Sequence, residues 1–300
     1  MYRLKSIEGD DVLIRIVLVL GLVSTGACSR APEPEPAALP SVASAASTSR
    51  SDGETGAAHI IQVSTSRSAP IKILDPRADQ ILRAMSSFIA ATTRFAFEAE
   101  ETYDELSGSE PRVLFGNVRR IAVERPNRFY ADVEGDSLNR SVWLDGRSVF
   151  TLDKPTLTYS TFDAPGSIDA TLDVLIDKYG LNVPMAELFY SDAYSVLTEQ
   201  VTYSRYLGLH RAAGVPCHHL VFSQPTIEWQ IWIDAGERPL PRKMVITYVR
   251  EPGEPQYTAT ITKWNLTPSF PEGLFSFEVP DGAERVDAAA LIPVLPGGTR

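Results

Sequence analysis

Cysteine is nearly missing from this chain: two in 300 residues cannot build a disulfide framework, so the fold must be held by its core. A basic surplus is missing too. With 28 Lys and Arg against 38 Asp and Glu, the formal charge is −10, and binding to nucleic acid through release of phosphate counterions has no footing. No apolar run reaches the roughly 20 residues that a membrane-crossing helix needs, and no period of about 20 to 50 residues repeats as a solenoid or propeller would. What the chain does have is apolar bulk. Its 44% hydrophobic residues can fill the interior of one large domain or two modest ones.

The leading residues read as an export address. Arg15 is followed by the apolar run Ile16-Val17-Leu18-Val19-Leu20-Gly21-Leu22-Val23 and by Ser24-Thr25-Gly26-Ala27 ahead of Cys28. Charge, apolar run, small residues and cysteine form an order that resembles a bacterial lipoprotein signal, in which the cysteine is acylated and becomes the mature N-terminus. The expectation is a signal peptide over 1–27, a lipid on Cys28 and attachment on the periplasmic side of the bacterial cell envelope. Ser29, in place of an aspartate, points to the outer membrane. Thr25 stands where that pattern usually has Leu, so plain cleavage near Ala27 is the alternative. Glu8, Asp10 and Asp11 are out of place ahead of such a signal, and initiation near Val12 would remove them. With Cys28 acylated, Cys217 lacks a disulfide partner and reads as a buried, apolar-like thiol.

Residues 28–74 are dominated by Ala, Pro, Ser and Thr, with Pro32, Pro34, Pro36 and Pro40 barring a helix, which predicts a lipid-anchored disordered linker. A single domain is expected over 75–287, followed by a disordered tail over 288–300. Asp75 is placed to cap a helix with Pro76 at its first position, and Ile81, Leu82, Met85, Phe88 and Ile89 give that helix one apolar face. The period then drops to two: Phe95, Phe97 and Ala99 alternate with Ala96, Glu98 and Glu100. Strands are expected at 112–124, 128–134, 140–144, 148–152 and 157–162, with turns at Ser107-Gly108, Asp145-Gly146 and Asp153-Lys154-Pro155. The spacing leaves no room for crossover helices, so the sheet is an antiparallel meander. Ser167 caps a helix carrying Ile168, Leu172, Leu175, Ile176 and Tyr179 and ended by Gly180, and 184–198 holds one or two short helices. Strands resume at 201–211, 215–223, 227–233, 242–251 and 256–265. The fold class is α+β: a curled antiparallel sheet of about ten strands, an unclosed barrel, with helices on its concave face.

Several phrases carry a likeness: Arg125-Pro126-Asn127-Arg128, Gly214-Val215-Pro216-Cys217-His218-His219-Leu220, Glu228-Trp229-Gln230-Ile231-Trp232-Ile233 and Arg238-Pro239-Leu240-Pro241-Arg242-Lys243. From about Asp75 to Val286 the chain resembles the predicted periplasmic family DUF2092, a domain of unknown function that looks related in fold to the LolA/LolB lipoprotein carriers and to mycobacterial lipid carriers. The resemblance implies a half-barrel cavity that takes acyl chains, and it supplies no catalytic residue. It is an analogy of fold.

Other constellations have plainer readings. Gly135-Asp136-Ser137-Leu138 spells the nucleophile block of one esterase class, which needs an Asp-x-x-His to supply the base. His59, His210, His218 and His219 have Gly56, Leu207, Val215 and Pro216 three places earlier, so the block reads as a turn. Cys217-His218-His219 puts two ligand-type side chains on one strand face, short of what zinc takes, and no metal or cofactor is expected. Arg119-Arg120 and Arg242-Lys243 read as solvated strand edges. Phe95, Phe97, Trp143, Phe150, Trp229 and Ile231 are the residues expected to line the concave cavity. The function expected is a non-enzymatic envelope lipoprotein that binds a lipid or other apolar ligand, or a lipidated envelope protein, with membrane contact through its anchor and no nucleic acid partner. The alternatives are an envelope structural or sensory protein working through protein contacts and, third, an esterase.

Overall fold

A computed structural model describes residues 72–105, 111–179 and 185–288. The signal peptide, Cys28, the linker up to 71, the Ser107-Gly108 turn, Gly180 and the tail from 289 lie outside the described residues.

Helix α1 (Pro76–Ala91) starts where the sequence sets it: the Asp75 carboxylate accepts from the backbone N–H of Arg77 at 2.8 Å and of Ala78 at 3.4 Å. The same carboxylate accepts from the Tyr206 N–H at 2.8 Å, so one side chain caps the helix and fastens it to a strand. The Tyr206 bond leads, ahead of an opposing burial effect, in holding the Asp75 carboxyl below its ordinary range. Helix α2 (Ile168–Tyr179) is capped by Ser167, whose hydroxyl accepts from Ala170 N–H at 3.1 Å. The stretch expected to hold short helices contains a 3-10 turn at Ala186–Phe189 and α3 at Ala193–Thr198.

The strands form one sheet. A first meander comprises β1 (Arg94–Glu105), β2 (Val113–Glu124), β3 (Arg128–Gly135), β4 (Asn139–Leu144), β5 (Ser148–Asp153) and β6 (Thr158–Asp163). A second comprises β7 (Tyr203–Ala212), β8 (Val215–Ser223), β9 (Glu228–Asp234), β10 (Pro241–Thr247) and β11 (Gln256–Asn265). The last strand of the second, β11, returns to pair antiparallel with β1, so the order across the sheet is β6-β5-β4-β3-β2-β1-β11-β10-β9-β8-β7. Beyond β6 lies β12 (Glu284–Arg285), a two-residue parallel addition. The described sheet thus has twelve strands where about ten were expected. β12 is too short to leave a periodic signal. The sheet does not close, since β7 and β12 are different edges.

Turn chemistry and register agree with the alternation. Asp145 Oδ1 accepts from Arg147 and Ser148 N–H at 2.8 Å each, and Gly146 takes φ +98°, which a side chain would resist. β2 and β10 are interior strands, which corrects the edge reading of their basic pairs. Arg242 donates to Asp234 at 2.8 Å, Lys243 lies over the Trp232 ring, and Arg120 meets Glu98, Asp132 and Glu134. Arg119, its neighbour, turns inward.

Candidate functional site

Residues directly opposite in an antiparallel pair share a face. Along β1 the face turned to the helices carries Phe95, Phe97, Ala99 and Glu101, opposite Val123, Ile121, Arg119 and Asn117 of β2. It continues through Phe129, Ala131 and Val133 of β3 and Leu144, Val142 and Arg140 of β4. On the other side of β1 the inner face carries Ala259 and Tyr257 of β11, Met244 and Ile246 of β10, and Ile231 and Trp229 of β9. This second part is filled. Helix α1 packs over β7, β8 and β9 with Leu82 and Met85 fully buried, and Trp229, 1% exposed, stacks on Phe222 with ring centres 4.0 Å apart.

The first part is not filled. Under α2 and the 3-10 turn lies a partly open cleft of about 90 Å³. Its floor is Ile121, Phe129, Ala131 and Val142; its roof is Leu172, Leu175 and Ile176 of α2 with Met185, Ala186 and Phe189; Arg119 completes the lining. Water needs two to four polar partners to be held, and these walls are almost wholly apolar. Of the α2 residues only Ile168 and Thr171 are buried, and Ile176 is 43% exposed. Phe189 divides the two parts, stacking on Phe97 at 6.1 Å and meeting Phe129 edge-on at 5.1 Å. Arg125 fixes that divider by donating from Nη1 to the Phe189 carbonyl at 2.7 Å, and burial lowers the guanidinium's pKa.

Arg119 makes a two-pronged pair with Glu101, Nε to Oε1 at 2.6 Å and Nη2 to Oε2 at 3.0 Å, with the Glu101 side chain fully buried. Burial opposes the guanidinium charge, and the Glu101 carboxylate outweighs it, holding Arg119 above its ordinary pKa. Tyr257 sits beside this pair, and burial, then Glu101, raises its phenol pKa. Beneath the 3-10 turn Glu187 has a carboxylate oxygen with no hydrogen-bond partner, and burial raises its pKa.

The six residues expected to line a cavity divide. Phe95, Phe97, Trp229 and Ile231 share the inner face, but they are packed into the core and the cleft is lined by others. Trp143 and Phe150 are on the opposite face, which corrects their assignment to the concave side. They pair across β4 and β5, and Phe277, from the segment after β11, lies 5.0 Å and 5.1 Å from them. The hairpin is apolar on both faces, and a large ring is no guide to which face is inside when a non-periodic segment covers the other. Glu101 and Arg119 were missed as a pair. The signal was parity, since Glu101 lies an even number of residues from Phe95.

Among the remaining candidates, Ser137 sits between β3 and β4 with its hydroxyl bonded to that of Tyr103, while His210, His218 and His219 are on β7 and β8. His219 stacks on Trp232 at 3.9 Å, bonds Gln230 at 2.9 Å and meets His210 at 2.8 Å. Cys217 is a buried free thiol whose pKa burial raises. Among the described residues no three His, Cys, Asp or Glu side chains are grouped as a metal site would require.

A family model matches residues 78–289, and the chain belongs to that family, described as predicted periplasmic proteins, DUF2092. No curated protein matches the chain. Among solved structures it is similar to an uncharacterised conserved protein from Thermus thermophilus, at 12% identity over 70% of this chain and 99% of that one, with a TM-score of 0.42. It is similar to lipoprotein LppX from Mycobacterium tuberculosis, at 13% identity over 65% and 98%, with a TM-score of 0.39. A LolA superfamily protein from Nitrosomonas europaea matches at 8% identity over 67% and 97%, with a TM-score of 0.30.

Proposed function

We propose that this protein is a non-enzymatic binding protein of the bacterial periplasm that holds an apolar, lipid-like ligand in the cleft between α2 and strands β2–β4. One observation carries the reading: the cleft is walled by apolar side chains that their own helix does not cover. Apolar surface leaves water at about 25 cal/mol per Å², so an acyl chain entering the cleft gains stability with little polar recognition. Acylation of Cys28 ahead of the linker fits a protein that receives or passes its ligand beside a membrane, on the outer membrane by the Ser29 reading. The test is mass spectrometry of lipid extracted from the full chain carrying Cys28→Ser and purified without detergent. A retained acyl species is the expected result, and clean protein that takes up no apolar fluorophore refutes the reading.

A further inference from the structure

The inner face changes character along the strands. On β2 it runs Val123, Ile121, Arg119, Asn117, and on β1 it runs Phe95, Phe97, Ala99, Glu101. Of its apolar half, Ile121 lies in the floor of the cleft, and Phe95 and Phe97 belong to the packed core beside it. The polar half begins at Arg119, which also lines the cleft and is the point where the two meet. Its charges already cancel: Glu101 and Arg119 are joined by two hydrogen bonds, with side-chain exposures of 0% and 13%. What is left over is neutral hydrogen-bonding capacity. The Asn117 side-chain oxygen is buried without a hydrogen-bond partner, and the Tyr257 hydroxyl, which reaches only the Glu101 carboxylate already held by Arg119, lacks one of good geometry, in residues only 9% and 4% exposed. Buried polar atoms are seldom left unpaired in a folded protein unless water or a ligand completes them. The Glu101 pair also uses only two of the five N–H donors of Arg119.

Resting on the proposed lipid-binding role, we infer that the preferred ligand is an amphiphile with an uncharged, hydroxyl-bearing head, of the acylglycerol class, its tail in the apolar cleft and its hydroxyls at Asn117, Tyr257 and the free side of Arg119. A hydroxyl both donates and accepts, which suits an amide oxygen, a phenol and an N–H together. A free fatty acid brings a carboxylate beside Glu101, whose cationic partner is already engaged, and leaves a like charge uncompensated in a buried place.

The experiment uses the full chain carrying Cys28→Ser, loaded with the uncharged fluorophore N-phenyl-1-naphthylamine at neutral pH. Displacement by 1-monooleoylglycerol is compared with displacement by oleate, each below its aggregation concentration. The monoglyceride is expected to displace the fluorophore at a concentration at least about tenfold lower. Tyr257→Phe and Asn117→Ala should each narrow that gap several-fold, read as the ratio of the two displacement concentrations in the same protein. Oleate binding equally or more tightly overturns the inference, as does a preference that both variants leave intact, which would mean that water alone completes the orphaned atoms. The first comparison needs no variant, so a misfolded mutant cannot decide the matter. If the fluorophore itself is not taken up, the cleft reading fails and this inference with it; if it is taken up without discrimination, only the head-group inference fails.

Discussion

In the arm of the sheet formed by β7–β11, α1 brings Leu82, Met85 and Ile89 into one cluster with Trp229, Phe222 and Ile231, and none of these is more than 2% exposed. In the arm formed by β2–β6, α2 brings Leu172, Leu175 and Ile176 over Ile121, Ala131 and Val142 and leaves a cleft between them. Strand chemistry and helix amphipathicity are alike in the two. The difference lies in the filling. α1 is held from both sides, by Asp75 on β7 and by the Ser86 hydroxyl accepting from Tyr194 N–H of α3 at 2.8 Å. Stability is therefore concentrated in one arm, and room for a ligand is kept in the other.

The sharpest way to break this comparison is Trp229→Ala. In a filled arm the loss should be about 3 to 5 kcal/mol, read by chemical denaturation, and a value under about 1 kcal/mol would show that the arm is not packed as described. Trp143→Ala comes next. The ring is half-buried under Phe277 on the outer face, so a loss of about 1 to 2 kcal/mol with unchanged uptake of an apolar fluorophore is expected; reduced uptake would put Trp143 back at the ligand. Glu187→Gln tests the polar margin through its pH dependence. A carboxyl whose folded pKa is raised stays protonated while the unfolded chain ionises, so stability falls as pH rises from its ordinary 4.5 toward the raised value. The variant should lose that slope and be the more stable protein at neutral pH, with no gain below about pH 4. The smallest stability effect belongs to Leu175→Ala in the open arm: less than about 1 kcal/mol, because one side of the residue already faces the cleft. Its uptake of apolar fluorophore should nonetheless change several-fold.

Much of this was legible in the residues. Period-two runs broken by Asp145-Gly146 and similar turns placed β1–β11 to within a few residues, and Asp75-Pro76 located the start of α1. The face of Trp229 and Ile231 followed from alternation alone. Three things did not. Whether a helix fills the space beneath it depends on distances between elements, and α1 and α2 present similar apolar stripes. The outer-face burial of Trp143 and Phe150 comes from Phe277, in a segment without a period to read. The Glu101–Arg119 pair needs the register of β1 against β2, since a single charge within a strand otherwise reads as solvent-facing.

The return of β11 to β1 has a consequence for how the chain reaches this state. β1 is the first of the described strands to be made, yet one of its two edges is completed only by a strand some 165 residues later, the separation of Glu98 from its partner Lys263. Each meander can form from near neighbours, whereas this seam must wait for the whole second meander, and such distant pairings are the slow part of folding. A chain made N-terminus first therefore carries an open strand edge, backed by Phe95 and Phe97, until nearly all of it is present. Unpaired edges of this kind recruit other chains, so the interval before closure is when this protein most needs a chaperone.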